Sequence, residues 1–272
     1  MCSVRINKNQ QKQTMTTNNQ LTIKGFFHRD DVKSKFNELM GNRSAQFITS
    51  VLSVVNNNSY LKNASPESVF SAALMAATLD LPVNPNLGFA YIIPYGQQAQ
   101  FQVGYKGLVQ LALRSGQFKT ISVTPVYEGQ IKQQNPLTGF EFDFNNKQSD
   151  KVIGYAAYFS LINGFEKTMY MTIEEVTAHG KRFSKMFNSG VWKTDFDAMA
   201  QKTVLKLLLS KYAPLSIEMQ KAVIADQAVI KDAETMDVEY VDAGQDLTEA
   251  KEKASQNATA RIEKLKASTN ES

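Results

Sequence analysis

The stretch Leu87–Lys119, LGFAYIIPYGQQAQFQVGYKGLVQLALRSGQFK, leaves few folds open. Two strand-like runs flank a turn at Gly96, and a helical pattern starts almost at once after the second. In that second run Phe101, Val103 and Tyr105 alternate with Gln100 and Gln102, so one face is apolar and the other polar. Gly104 and Gly107 bracket Tyr105 and Lys106, which predicts a sharp bend or a close backbone approach. In the helix Lys106, Gln110 and Arg114 fall at i, i+4 and i+8, opposite Leu108, Leu111 and Ala112. This polar stripe suits either an extended polyanion or plain solvent.

The elements around it follow from local signals. Asp30–Met40 and Ser44–Asn57 read as helices, the second with Phe47, Val51, Val54 and Val55 at helical spacing. Ser65-Pro66 gives an N-cap and a proline at the first helical position. The Ala-rich helix that follows lacks basic residues and is read as buried. Pro94 lacks a ladder N–H, so its run is an edge strand or ends there. Thr120–Tyr127, Phe140–Phe144, Val152–Leu161 and Thr168–Met171 read as strands, the last two joined at Asn163-Gly164. Thr172 and Glu175 have capping-box spacing. The fold class is therefore α+β, with an antiparallel sheet of about five strands packed with helices.

Trp192–Tyr212, WKTDFDAMAQKTVLKLLLSKY, reads as one long helix ended by Pro214. It is apolar nearly all round, which is the pattern of a buried helix. Yet Lys202 and Lys206 share a side of it. Lysines there require a counter-charge or a wet groove, unless they snorkel to the surface. Ser216–Ile230 reads as a further helix. The chain divides into a disordered N-terminal segment (1–22), a core (23–230) and an acidic, flexible C-terminal tail (231–272).

Charge is uneven along the chain. Residues 101–213 hold 14 Lys/Arg against 9 Asp/Glu, whereas residues 214–272 hold 7 against 12. A basic body with an acidic tail fits a polyanion partner or ordinary surface charge. Cys2 is the only cysteine, which precludes an intrachain disulfide or cysteine-cluster metal site and fits a reducing cytoplasm. No run approaches the 18 or so apolar residues of a membrane span, and the polar N-terminus is not a signal peptide.

Catalytic patterns are sparse. There is no P-loop and no nucleophile elbow. His28 and His179 lack metal-ligand spacing. Asp195 and Asp197 offer a Mg²⁺ site on paper, but acids in a first helical turn are explained by the helix dipole. Binding is favoured over hydrolysis.

Several of these segments are those of a known family. AALMAATLDLPVNPNLGFAYIIPYGQQAQFQVGYKGLVQLALRSGQF, GYAAYFSLINGFEKTMYMT, VWKTDFDAMAQKTVLKLLLSKY, AVIADQ and MDVEYVD closely resemble the RecT recombinases, single-strand annealing proteins of phages and prophages distantly related to Redβ. The resemblance covers roughly residues 21–242. It implies binding of single-stranded DNA and pairing of complementary strands without ATP. It also implies rings or helical filaments on DNA, and work beside a RecE-like 5′→3′ exonuclease. A single-strand-binding protein is a further expected partner, and the acidic tail suits a contact with either. No cofactor is implied, Mg²⁺ entering only as a companion of DNA phosphates. The setting is the cytoplasm of a bacterial host. A passive single-strand coat and a metal-dependent nuclease using Asp195 and Asp197 are the alternatives.

On this reading Lys106, Arg114, Lys119, Lys185, Lys193, Lys202, Lys206 and Lys211 are phosphate contacts, Lys202 foremost. Gln100, Gln102 and Gln110 are hydrogen-bond donors to phosphates. Phe101, Tyr105 and Trp192 either stack on bases or belong to the core. The helices around Phe36 to Val55 are expected against a neighbouring subunit.

Overall fold

A computed structural model describes residues 22–240, apart from Pro136 and Glu234. The expectations for residues 1–21 and 241–272 lie outside it. Four helices open the described chain: α1 (Ile23–Phe27), α2 (Asp30–Met40), α3 (Ser44–Asn56) and α4 (Pro66–Thr78). They assemble around phenylalanines. Phe27 stacks on Phe36 at 5.9 Å, and Phe70 meets Phe36 edge-on at 5.7 Å. Phe36, Phe47, Val51 and Val55 are buried in this cluster. The same chain covers these apolar faces. Ser65 caps α4 as its sequence predicts, accepting from Ser68 N–H. Ser68 Oγ in turn accepts from Ala99 N–H at 2.8 Å, which ties the helix to the strand beside it.

That strand belongs to the hairpin β1 (Ala90–Tyr95) and β2 (Gln98–Val103), which turns at Gly96 with φ +57°. Helix α5 (Tyr105–Arg114) follows after one residue. The glycine expectation resolves as close approach. A Cβ on Gly104 would lie 2.1 Å from Gly88 O, and one on Gly107 would lie 2.1 Å from Phe89 O.

The largest sheet is β3 (Phe118–Tyr127), β6 (Val152–Leu161) and β7 (Glu166–Thr172), antiparallel in the order β3-β6-β7. Between β3 and β6 sits a hairpin of β4 (Ile131–Asn135) and β5 (Gly139–Phe142). Phe140 and Phe142 of this hairpin rest on Tyr170, with ring centroids 5.7 and 6.0 Å away. The single sheet of about five strands is corrected. The described strands form one three-stranded and three two-stranded antiparallel sheets. α+β with antiparallel pairing is what the structure shows.

After β7 the Thr172–Glu175 capping box opens α6 (Ile173–Phe183), with both of its hydrogen bonds formed. The long helix expected from Trp192 is two: α7 (Gly190–Thr194) and α8 (Phe196–Tyr212). Asp195 breaks it, because an N-cap must leave helical geometry, and its carboxylate accepts from Ala198 N–H. Helix α8 lies against β3, β6 and β7. Helix α9 (Ile217–Ala225) leads to a last hairpin, β8 (Val229–Asp232) and β9 (Asp237–Glu239). Ile230 and Ala233 are buried in the cluster that begins at Ile23, so the chain stays with its core beyond residue 230.

Candidate nucleic-acid interface

Helix α8 carries its two lysines to one carboxylate. Lys202 Nζ donates to Asp226 Oδ1 at 3.2 Å, and Lys206 Nζ donates to Asp226 Oδ2 at 2.6 Å. Asp226 Oδ1 also accepts from Val103 N–H at 3.0 Å. The carboxylate is thus fully buried yet saturated with donors, as a buried charge must be. Burial pushes the Asp226 pKa up, but the two ammonium groups outweigh it and hold the acid below its ordinary value. Burial drives the Lys202 ammonium the other way, partly offset by Asp226.

The counter-charge that Lys202 requires is therefore supplied from within the chain. Its ranking as the foremost phosphate ligand is corrected on geometry, since Lys202 is 8 % exposed and committed to Asp226. Lys206 is more open, with 24 % of its side chain exposed, but carries the same partner.

The other predicted residues separate into two groups. Arg114 turns back on α4, donating to Leu79 O and Asp80 O at 2.8 Å each. It caps carbonyls that the end of α4 leaves orphaned. Gln100 is buried and donates from Nε2 to Gln227 O at 2.8 Å. Gln102 is half-buried beside it, and Phe101 and Trp192 lie in the core. As an open-surface phosphate contact Gln100 is corrected, and Phe101 takes the core alternative; Arg114 keeps an exposed side chain although the Leu79 and Asp80 carbonyls hold it. Lys106, Lys119, Lys185, Lys193 and Lys211 are exposed, whereas Gln110 and Tyr105 are half-buried. Lys185 lies 5.9 Å from the centre of the Tyr95 ring, at the tip of the β1–β2 hairpin.

The two cationic stripes meet through β2. Val103 ends the strand that feeds α5 and donates to the acid that holds α8. Beyond that point they diverge. Lys106 starts α5, whereas Arg114, about 12 Å along the axis, faces the end of α4.

What the structure does gather is a pocket of about 220 Å³ between α6, α7 and α8, walled by His179, Phe183, Trp192, Met199, Lys206 and Leu207. The last turn of α6 and the residues after it place exposed Lys181, Arg182 and Lys185 close by in sequence. His179 packs on Phe183 with tilted rings and centroids 4.4 Å apart. Burial, then Lys206 and Arg182, depress its pKa to about 4, so the ring is neutral at physiological pH. Sequence reasoning missed His179, Phe183 and Asp226 as parts of one place. The Lys181–Lys185 cluster was its visible signal.

Asp195 and Asp197 are both engaged. Asp195 caps α8, and Asp197 accepts from the buried Tyr155 hydroxyl. Among the described residues, no group of three or more His, Cys, Asp or Glu is placed to hold a metal ion.

A profile of the RecT family matches residues 45–240. The chain belongs to the RecT family. The uncharacterized protein YqaK of Bacillus subtilis (strain 168) is 54% identical over 206 residues, 75% of this chain and 72% of that protein. The protein RecT of Escherichia coli (strain K12) is 32% identical over 183 residues, 61% of this chain and 65% of that protein. The RecT match contains β1–β2, α5, the pocket and Asp226. Helices α1 and α2 precede it.

Proposed function

We propose that this protein binds single-stranded DNA and anneals complementary strands in recombination, without hydrolysing ATP and as an oligomer along the DNA. Membership of the RecT family across the described core carries this reading. The exposed cations Lys106, Lys119, Lys181, Arg182, Lys185 and Lys193 supply phosphate contacts that ignore sequence, as annealing of arbitrary strands requires. Lys211 is a further exposed contact, at the far end of α8. Rings or filaments, a RecE-like exonuclease and a single-strand-binding protein as partners, Mg²⁺ only with phosphates, and a cytoplasmic setting complete the proposal. Among the described residues no helix is long and apolar enough to cross a membrane.

Mixing complementary labelled oligonucleotides with the protein, with and without ATP, tests it. The expected result is accelerated pairing that ATP does not change. Binding without acceleration would leave a passive coat. Mg²⁺-dependent release of labelled nucleotides, abolished by Asp195→Ala, would favour a nuclease.

A further inference from the structure

The pocket between α6, α7 and α8 is built differently from a phosphate site. Its walls are mostly apolar and aromatic, with Phe183, Met199 and Leu207 on them. The charge at its base is already neutralised in part, because Lys206 is held by Asp226. Trp192 also lines it, is 6 % exposed, and keeps its Nε1–H buried without an acceptor among the described residues. A buried unsatisfied indole donor is costly, and a ligand acceptor or an ordered water removes that cost. Phe187 and Phe196 pack against the indole with tilted rings, centroids 5.2 and 5.7 Å away. His179, kept neutral, offers one donor and one acceptor nitrogen.

A flat heterocycle with ring-edge acceptors fits this combination: aromatic walls, an unpaired buried N–H on a lining residue and a neutral imidazole. Exposed Lys181, Arg182 and Lys185, near in sequence, would hold the phosphodiester on either side of it. We propose that the pocket takes a single nucleobase, extruded from the bound strand, with Trp192 Nε1–H donating to a ring nitrogen or carbonyl oxygen of the base. This deepens the annealing reading and rests on it. One base drawn out of the stack fixes the strand's register on each subunit, while its neighbours stay open to a second strand.

Trp192 is the sole tryptophan, so its emission reports on the pocket directly. The test titrates the full-length protein with a labelled oligonucleotide and with an abasic strand of equal length. Anisotropy follows binding, and tryptophan emission follows the pocket. The expected result is binding of both strands, with Trp192 emission changed by the base-bearing strand alone. Trp192→Phe, which keeps a ring and removes the N–H, should lower the preference for the base-bearing strand about tenfold. His179→Ala should lower it in the same sense, with circular dichroism confirming that each variant folds. Equal emission changes from both strands, or none from either while both bind, overturn the pocket assignment and leave the annealing reading standing. Failure of both strands to bind overturns the two together.

Discussion

Lys206 Nζ and Asp226 Oδ2 lie 2.6 Å apart, joining the middle of α8 to the residue that ends α9. Lys202 completes the arrangement from one turn earlier, and Val103 N–H closes it from β2. One carboxylate thus balances two cations and fastens three elements. Asp226→Asn is expected to destabilise the fold by about 3–5 kcal/mol, the usual effect of removing one partner from a buried ion pair. Urea unfolding followed by circular dichroism measures it. A loss below about 1 kcal/mol would mean that the three contacts are not made in solution.

Lys202→Met and a Lys181→Ala/Lys185→Ala double variant should separate structure from DNA contact. The first is expected to lower the unfolding midpoint and to leave the salt dependence of DNA binding unchanged for the molecules that remain folded. The second should keep the midpoint and reduce the slope of log affinity against log salt by roughly 1.4, about 0.7 for each phosphate of a single strand that is no longer neutralised. A filter-binding series across salt concentrations decides between them.

Gly104→Ala and Gly107→Ala place a methyl group 2.1 Å from the backbone oxygens of Gly88 and Phe89. Backbone cannot yield as a side-chain tip does, so each should destabilise by about 3 kcal/mol or more, beyond ordinary overpacking. Gly96→Ala meets no atom within 4 Å and bears only the strain of φ +57°. It should lose about 1 kcal/mol. Thermal melts of the three variants test that order.

His179 gives the fold a pH dependence. Its folded pKa, about 4, lies below the ordinary 6.5, so the unfolded chain binds more protons between those values. Stability contributed by the neutral ring is full above pH 6.5 and falls as pH drops toward 4. The ring keeps some contact with water, which reduces the size of the effect. His179→Gln should flatten the unfolding midpoint across that window, and melts from pH 4 to 8 read it. An unchanged profile would show that His179 is not the titrating group.

Local signals carried the elements well and their pairing poorly. The Ser65 cap, the Thr172–Glu175 box and the Gly96 turn act within four residues, and all three form as their sequences predict. β4 has the sequence IKQQN, without apolar alternation, and nothing local marks it as a strand. Which strands share a sheet depends on contacts between distant segments, so a single sheet was a natural but wrong expectation. At the site, the oddity of two lysines on a buried helix was readable, as was their need for a counter-charge. The identity of that charge was not, since Asp226 lies 24 residues from Lys202 and its own neighbours read as ordinary helix. Arg114 was legible only in part for a related reason. Its periodicity placed it on the polar stripe, but only the fold shows the end of α4 waiting for its guanidinium.

The hydrogen bond from Val103 to Asp226 spans 123 residues of chain. During synthesis α8 emerges with its two ammonium groups before their carboxylate exists. Until residue 226 clears the ribosome, the interior offers those lysines no anion, and packing of α8 against the sheet is opposed by their desolvation. Final consolidation must therefore wait for nearly the whole described chain. Such late closure of a distant contact favours slow folding, and a chain truncated before Asp226 is expected to stay loosely packed in this region.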